Sequence, residues 1–247
     1  MGEFKDHFSG HAGDYASFRP GYSAALYQWL ADVSPSRECA WDCATGNGQA
    51  ALGLAQYFKR VVATDASKEQ IEHAVRFPTI EYRTETAEQS SLPSSSVDLV
   101  TVAQACHWFR HEEFLREVER VIRPRGVLAV WTYTGAEVSA SIDAIVNEFY
   151  NADIGPYWPP ERKLVEQGYA NLSFPWPQLP SPRFVMEAEW GLESFAGYLQ
   201  TWSAVRRYMA DTGCDPVATI HARLSAAWGK GQRKVIWPQV LRAFRVA

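Results

Sequence analysis

No window of this 247-residue chain holds the roughly 18 consecutive apolar residues that would span a bilayer. The first residues, Met1-Gly2-Glu3-Phe4-Lys5-Asp6, contain no apolar signal segment, and Asp6 stands where a myristoylation pattern needs Ser or Thr. Cysteine is sparse. Cys39, Cys43, Cys106 and Cys214 lack the paired spacing of a metal knuckle, so no structural metal is expected, and they read as reduced thiols that pack like small hydrophobes. Basic charge is not in excess either. The formal net charge of -4 offers no field for holding a nucleic-acid backbone. Internal repeats and low-complexity tracts are absent. These absences lead to the expectation of a cytoplasmic protein without membrane or nucleic-acid partners, acting on a small molecule.

What is present is the composition of a folded protein, 47% hydrophobic and 21% charged. Tyr22, Leu26, Trp29, Leu30 and Val33 recur at helical spacing, with Pro20 suited to a first turn. A short apolar strand, Cys39 to Cys43, runs into the glycine turn Thr45-Gly46-Asn47-Gly48, and a periodic helix follows through Phe58. A second strand, Arg60 to Thr64, closes on Asp65, and Ser67 with Gln70 makes a capping box for the next helix. Ile80 to Arg83 alternates as an edge strand does. Val97 to Val102 is nearly all apolar, as buried parallel strands are. A helix over 112–122 is broken by Arg123-Pro124-Arg125-Gly126 before a fifth strand, Val127 to Trp131. Strands alternating with helices in this way predict an α/β, doubly wound, mostly parallel sheet. Beyond residue 134 come a helical stretch from Ile142 to Tyr150 and a segment rich in Pro, Trp and Tyr. Two more strands, Arg183 to Trp190 and Val235 to Val246, then flank a further helical region. The chain reads as one domain, 1–247: a core with an N-terminal lid over 1–134, a cap over 135–182, and strands and helices completing the sheet over 183–247.

The turn Gly46-Asn47-Gly48-Gln49-Ala50-Ala51 satisfies a loose dinucleotide pattern, with Asp65 about twenty residues on. An acidic residue, Asp42, nevertheless precedes Gly46 by four positions. A carboxylate there repels a pyrophosphate but can hold a cationic amino acid, and the small residues let the backbone approach a ligand. The stretch Asp42-Cys43-Ala44-Thr45-Gly46-Asn47-Gly48 resembles the first motif of class I S-adenosylmethionine-dependent methyltransferases, where Asp-x-Gly-x-Gly-x-Gly is usual. Ala44 replaces the first glycine, and an alanine there is expected to keep a negative φ.

The resemblance covers roughly residues 8–134. It implies a Rossmann-like sheet of about seven strands whose last strand is antiparallel, carrying a helical, aromatic cap insertion. It also implies S-adenosylmethionine as cofactor, held around Asp42, Ala44, Gly46 and Gly48. Asp65 is similar to the acidic residue that accepts both ribose hydroxyls, against the alternative of capping the next helix. Ala66 and Ser67 would lie beside the adenine. In Thr86-Ala87-Glu88 a threonine stands where relatives carry an acid, leaving Ala87 or Glu88 to meet the adenine, against a solvated loop glutamate. Gln104-Ala105-Cys106-His107-Trp108-Phe109 follows the fourth strand at the ligand-binding end of such sheets. It resembles the His-Trp-Phe segment of trans-aconitate-type methyltransferases, which implies that Gln104 meets the cofactor and Trp108 the acceptor. Tyr15 and Arg19 resemble the leading residues that close over the cofactor in these enzymes. The alternative for Arg19 is a surface arginine. Trp131, Tyr157 and Trp158 are expected to line the acceptor pocket.

The implied reaction is in-line displacement on the sulfonium methyl, dominated by alignment. His107 is the candidate base, and a carboxylate acceptor would need none. Two other classes stay open at this stage: an NAD-type oxidoreductase and a non-catalytic binding module on the same fold.

Overall fold

The computed structural model describes residues 20–246. Four short, buried segments seed its sheet: β1 Cys39–Cys43, β2 Arg60–Asp65, β4 Val97–Ala103 and β5 Ile122–Thr132, with β3 Ile80–Thr84 at one edge. These strands run parallel in the order β3-β2-β1-β4-β5. β1 is buried along its whole length and β4 nearly so, which is why both read as mostly apolar runs despite Asp42 and Asp98. The long β8, Arg233–Arg245, closes the far side antiparallel to β5, and the two-residue β6, Gln178–Leu179, pairs on its outer edge. With β7, Phe184–Trp190, along the other half of β8, the sheet has eight strands rather than seven. The additional one is β6, too short to show an alternating pattern.

The connecting helices cover both faces. On one side α1, Ala24–Val33, and α2, Gln49–Leu54, bury Leu26, Leu30, Ala50 and Leu54 against Ala40, Val61 and Ala129. Gly53 permits their close approach, because a Cβ there would stand 2.0 Å from the Tyr27 ring. On the other side, past the short α3 Lys68–Glu72, lies α4, His111–Val121, which buries Phe114, Val118 and Val121 against Val100 and Val130.

Several boundaries differ from the sequence reading. Pro20 precedes the first helix, whose cap is Ser23, accepting from the Leu26 N–H at 3.3 Å. α2 stops at Leu54, and Phe58 is buried from a turn beyond it. Arg123 to Gly126 does not precede β5 but lies within it, at a bulge where Arg125 adopts φ 65°. Arg123 is held there by Asp98, whose other oxygen accepts the N–H groups of Glu38 and Cys39.

The second half of the chain serves two cores. A helical lobe is assembled from α5 Ala140–Glu148, α7 Leu192–Gln200, α8 Ser203–Thr212 and α9 Pro216–Trp228, packed on β7 and the first half of β8. The segment between, with α6 Arg162–Glu166 and Tyr169, packs on the sheet instead. The apolar side chains of residues 135–182 are thus shared between two cores. Among the described residues no helix is long and apolar enough to cross a membrane.

Candidate active site

The strand order reverses direction at β1 and β4, and the carboxyl ends of these strands form the crevice where open α/β sheets take ligands. After β1 the chain makes a tight loop in which Ala44, Gly46 and Gly48 all have left-handed φ, at 54°, 57° and 90°. The negative φ expected for Ala44 is thus corrected. Alanine here keeps the conformation that glycine would supply, at a steric cost of about 1–2 kcal/mol. Gly48 is required for a second reason, since a Cβ would lie 2.2 Å from the Tyr82 hydroxyl.

Two carboxylates hold this loop. Asp42 has no exposed surface and lies beneath it, accepting from the Thr45 hydroxyl at 2.5 Å and the Thr101 hydroxyl at 2.8 Å. Burial pushes its carboxyl up to about 6, against the lowering effect of those hydroxyls and the Ala51 N–H. Asp42 is therefore a strut under the loop rather than a group on its surface. Asp65, at the tip of β2, accepts from the Gly46 N–H and from the Ser67 N–H, both at 2.9 Å. The capping of α3 is left to Ser67, whose hydroxyl accepts from Gln70 N–H at 3.3 Å. Ala66 follows, half-buried.

The third motif region sits beside this loop. Ala87 is buried in the core under α4. Glu88 accepts from the Arg110 backbone N–H at 2.9 Å and pairs the Arg110 guanidinium at 3.6 Å. Its carboxylate is committed to the start of α4, which neither sequence alternative foresaw.

After β4, Gln104 also takes a left-handed φ of 59° and is clamped to the end of β5. Its N–H donates to the Trp131 carbonyl and its Nε2 to the Tyr133 carbonyl, both at 3.0 Å, while the Thr132 hydroxyl donates to its Oε1 at 2.6 Å. The amide is thereby spent on positioning the 106–108 turn. There His107 meets the hydroxyl of Tyr169 at 3.1 Å and packs on Trp108 with ring centroids 4.6 Å apart. Burial, and then the Arg162 cation, push the imidazole down to about 3. It is neutral throughout the physiological range, and too weak a base for the role expected of it.

Tyr169 and Arg162 were not singled out in the sequence. Tyr169 is fully buried at φ 60° behind Gly168, and Arg242 of β8 donates to its carbonyl. Arg162 lies 4.6 Å over the Trp158 ring and donates to the Thr134 carbonyl at 2.6 Å, joining α6 to the chain leaving β5. Of the expected acceptor residues, Trp108 is in this cluster, Trp158 borders it, and Trp131 is buried edge-on to Tyr22 at 5.4 Å. Tyr157 is elsewhere. Its hydroxyl donates to Asp211 at 2.9 Å and its ring packs on Tyr208, at the surface of the helical lobe. Tyr15 and Arg19 lie outside the described residues.

Comparison with known proteins decides the family. Residues 41–130 match the model of a methyltransferase domain. A candidate methyltransferase of Dictyostelium discoideum is 33% identical over 230 residues, covering 92% of this chain and 88% of its own. The chain belongs to the class I S-adenosylmethionine-dependent methyltransferases. The solved structure of a candidate type II methyltransferase from Anaeromyxobacter dehalogenans is 45% identical and superposes with a TM-score of 0.88 over 93% of this chain and 98% of that one. A Bacillus halodurans methyltransferase-like structure, 17% identical with a TM-score of 0.51 over 90% of this chain and 98% of its own, shares the fold alone. The matched span contains the end of β1, its glycine loop, Asp65 and the 104–108 turn, so the motif loop belongs to the shared part.

Proposed function

We propose that this methyltransferase depends on S-adenosylmethionine and methylates a small-molecule acceptor. The observation that carries the reading is the loop from Ala44 to Gly48, left-handed at alternate residues and pinned at the switch point between two carboxylates. That donor set fits this cofactor: the loop region carries negative groups and flat glycine backbone, which suit a cationic amino acid and a ribose better than a pyrophosphate. Asp65 would take the ribose hydroxyls, and Gly46 to Gly48 would lie against the amino-acid portion. When bound, the cofactor supplies an electrophilic methyl group that a nucleophile displaces in line, leaving S-adenosylhomocysteine.

The chain's own contribution is alignment and exclusion of water. The Gln104 clamp fixes the 106–108 turn, and Trp108 with neutral His107 presents an aromatic wall. With His107 a poor proton acceptor, this reading favours an acceptor whose nucleophilic atom needs no proton removed by His107. The negative net charge supports a small acceptor over a nucleic acid. Incubation with S-adenosylmethionine and a panel of small oxygen, nitrogen and carbon nucleophiles, with S-adenosylhomocysteine release as readout, tests the reading. Turnover with at least one small acceptor is expected, and turnover with nucleic acid alone contradicts it.

A further inference from the structure

Several buried indoles in this fold have hydrogen-bond partners. Trp41 donates to the Thr64 hydroxyl at 2.9 Å, Trp228 to the Gly231 carbonyl at 3.2 Å, and Trp158 to the Tyr150 carbonyl at 3.3 Å. Trp131 and Trp237 do not. Both are fully buried with Nε1 unpaired, and both amide atoms of Gln239, 8% exposed, are unpaired too. Buried polar groups are normally satisfied, so orphans gathered in one region ask for a partner from outside the chain.

Those of Trp131, Trp237 and Gln239 share one stretch of β5 and β8, whereas the unpaired Thr79 hydroxyl and His111 Nδ1 lie elsewhere. Trp237, Gln239 and Leu241 alternate on the buried face of β8, and Leu241 is the cross-strand partner of Trp131. At this point the β5–β8 ladder opens, while residues 237–239 stay paired with β7. β5 and β8 are paired as far as Thr132 opposite Val240 and meet again only where Glu137 faces Ile236. Residues 133–136 and 237–239 form no rung with one another, and Pro238 lies in the middle of the gap. Gln239 also ends the β7 ladder, opposite Phe184. The two cores part here as well, Trp237 belonging to the helical lobe and Trp131 to the face under α1, while Tyr22 packs against both. Because Gln104 donates to the carbonyls of Trp131 and Tyr133, the opening adjoins the clamp at the ends of β4 and β5.

The chemistry of the orphans defines the ligand. Indole N–H groups only donate, so they want an acceptor oxygen, whereas the Gln239 amide can donate and also needs a donor for its Oε1. None of these residues is cationic, and exposed Glu137 stands at the far rung. A carboxylate would find no cation among them, and the guanidinium that reaches residues 133–136, Arg162, is held on the Thr134 carbonyl and the Tyr150 hydroxyl. We propose that this opening is the acceptor-recognition subsite, and that it takes a neutral small molecule bearing a carbonyl oxygen with a hydroxyl or amide N–H beside it. The inference rests on the methyl-transfer reading above.

The test is nuclear magnetic resonance of the full chain labelled with 15N at its ten tryptophans, saturated with S-adenosylhomocysteine. Trp131→Phe and Trp237→Phe assign the two indole signals. The probes are 2′-hydroxyacetophenone, anionic salicylate, and 2-ethylphenol, which has no carbonyl. The neutral carbonyl compound is expected to move both signals saturably, and Gln239→Leu to weaken it about tenfold with homocysteine-cofactor binding unchanged. Should Gln239→Leu not fold, Gln239→Asn, which withdraws the amide, makes the same comparison. Tighter binding of salicylate overturns the neutral class. Signals that no probe moves, or that move equally in the Gln239 variant, overturn the subsite and leave ordered water as the partner. If S-adenosylhomocysteine itself does not bind by calorimetry, the methyl-transfer reading fails, which is a different result from silent indoles in a protein that binds it.

Discussion

The Gly46 N–H donates to Asp65 across 2.9 Å, so the loop that follows β1 is tied to the tip of β2. One carboxylate thereby shapes the loop and stands ready at its edge. Replacing Asp65 by Ala removes both functions. S-adenosylhomocysteine affinity is expected to fall by at least about a hundredfold, the loss of two charge-assisted hydrogen bonds and loop order together. Asp65→Asn, which keeps one acceptor oxygen, is expected to lie between the two. Calorimetry on the three proteins checks the order, and equal affinity in Asp65→Ala would remove Asp65 from the site.

Ala44→Gly is expected to stabilise the protein. The residue sits at φ 54°, where a Cβ is disfavoured, and glycine relieves that cost while loosening the unfolded chain. The net gain is about 1 kcal/mol, read as a rise in Tm. A fall would mean that the methyl group of Ala44 makes packing worth more than the strain.

Asp42 sets a pH dependence. Its folded value of about 6 lies above the ordinary carboxylate range because burial disfavours the charge. The folded state therefore holds that proton more tightly than the unfolded chain does. The stability this provides is present in acid and is lost as pH rises through about 6. Thermal scans from about pH 4 to 7 on the ligand-free protein should show the wild type losing Tm relative to Asp42→Asn up to about pH 6 and little further above it. A constant difference between the two would show that Asp42 titrates alike in both states.

His107 should tolerate replacement. With its value pushed down to about 3, it is neutral wherever the enzyme works, so kcat should show no inflection from this group between pH 5 and 9. His107→Gln is expected to cost about tenfold or less, well short of the 10²–10⁴ that loss of a general base brings. Tyr169→Phe, which frees the imidazole from its hydroxyl partner, should have a similarly small effect. An acid limb near 6.5 that disappears in His107→Gln would restore the imidazole as the base.

The parallel core was legible because burial on both faces writes itself as apolar runs, as in Val97 to Val102, and because Ser67 and the glycine turn punctuate it. Roles set by distant partners were not. Glu88 reads as a loop acid until Arg110 is seen beside it, 22 residues away. Tyr169 carries no motif at all, and its contact with His107 joins residues 62 apart. A glycine before an aromatic residue, as in Gly168-Tyr169, was the one local sign of its left-handed backbone. The place of Tyr157 was not legible for a related reason: an aromatic-rich segment looks the same whether it lines a pocket or fills a lobe.

Calorimetric titration of the full chain with S-adenosylmethionine, S-adenosylhomocysteine and NAD tests the central claim most directly. The account predicts micromolar binding of both sulfur compounds, lost in Asp65→Ala, and no binding of NAD. Binding of NAD alone, or of none of the three, would contradict it.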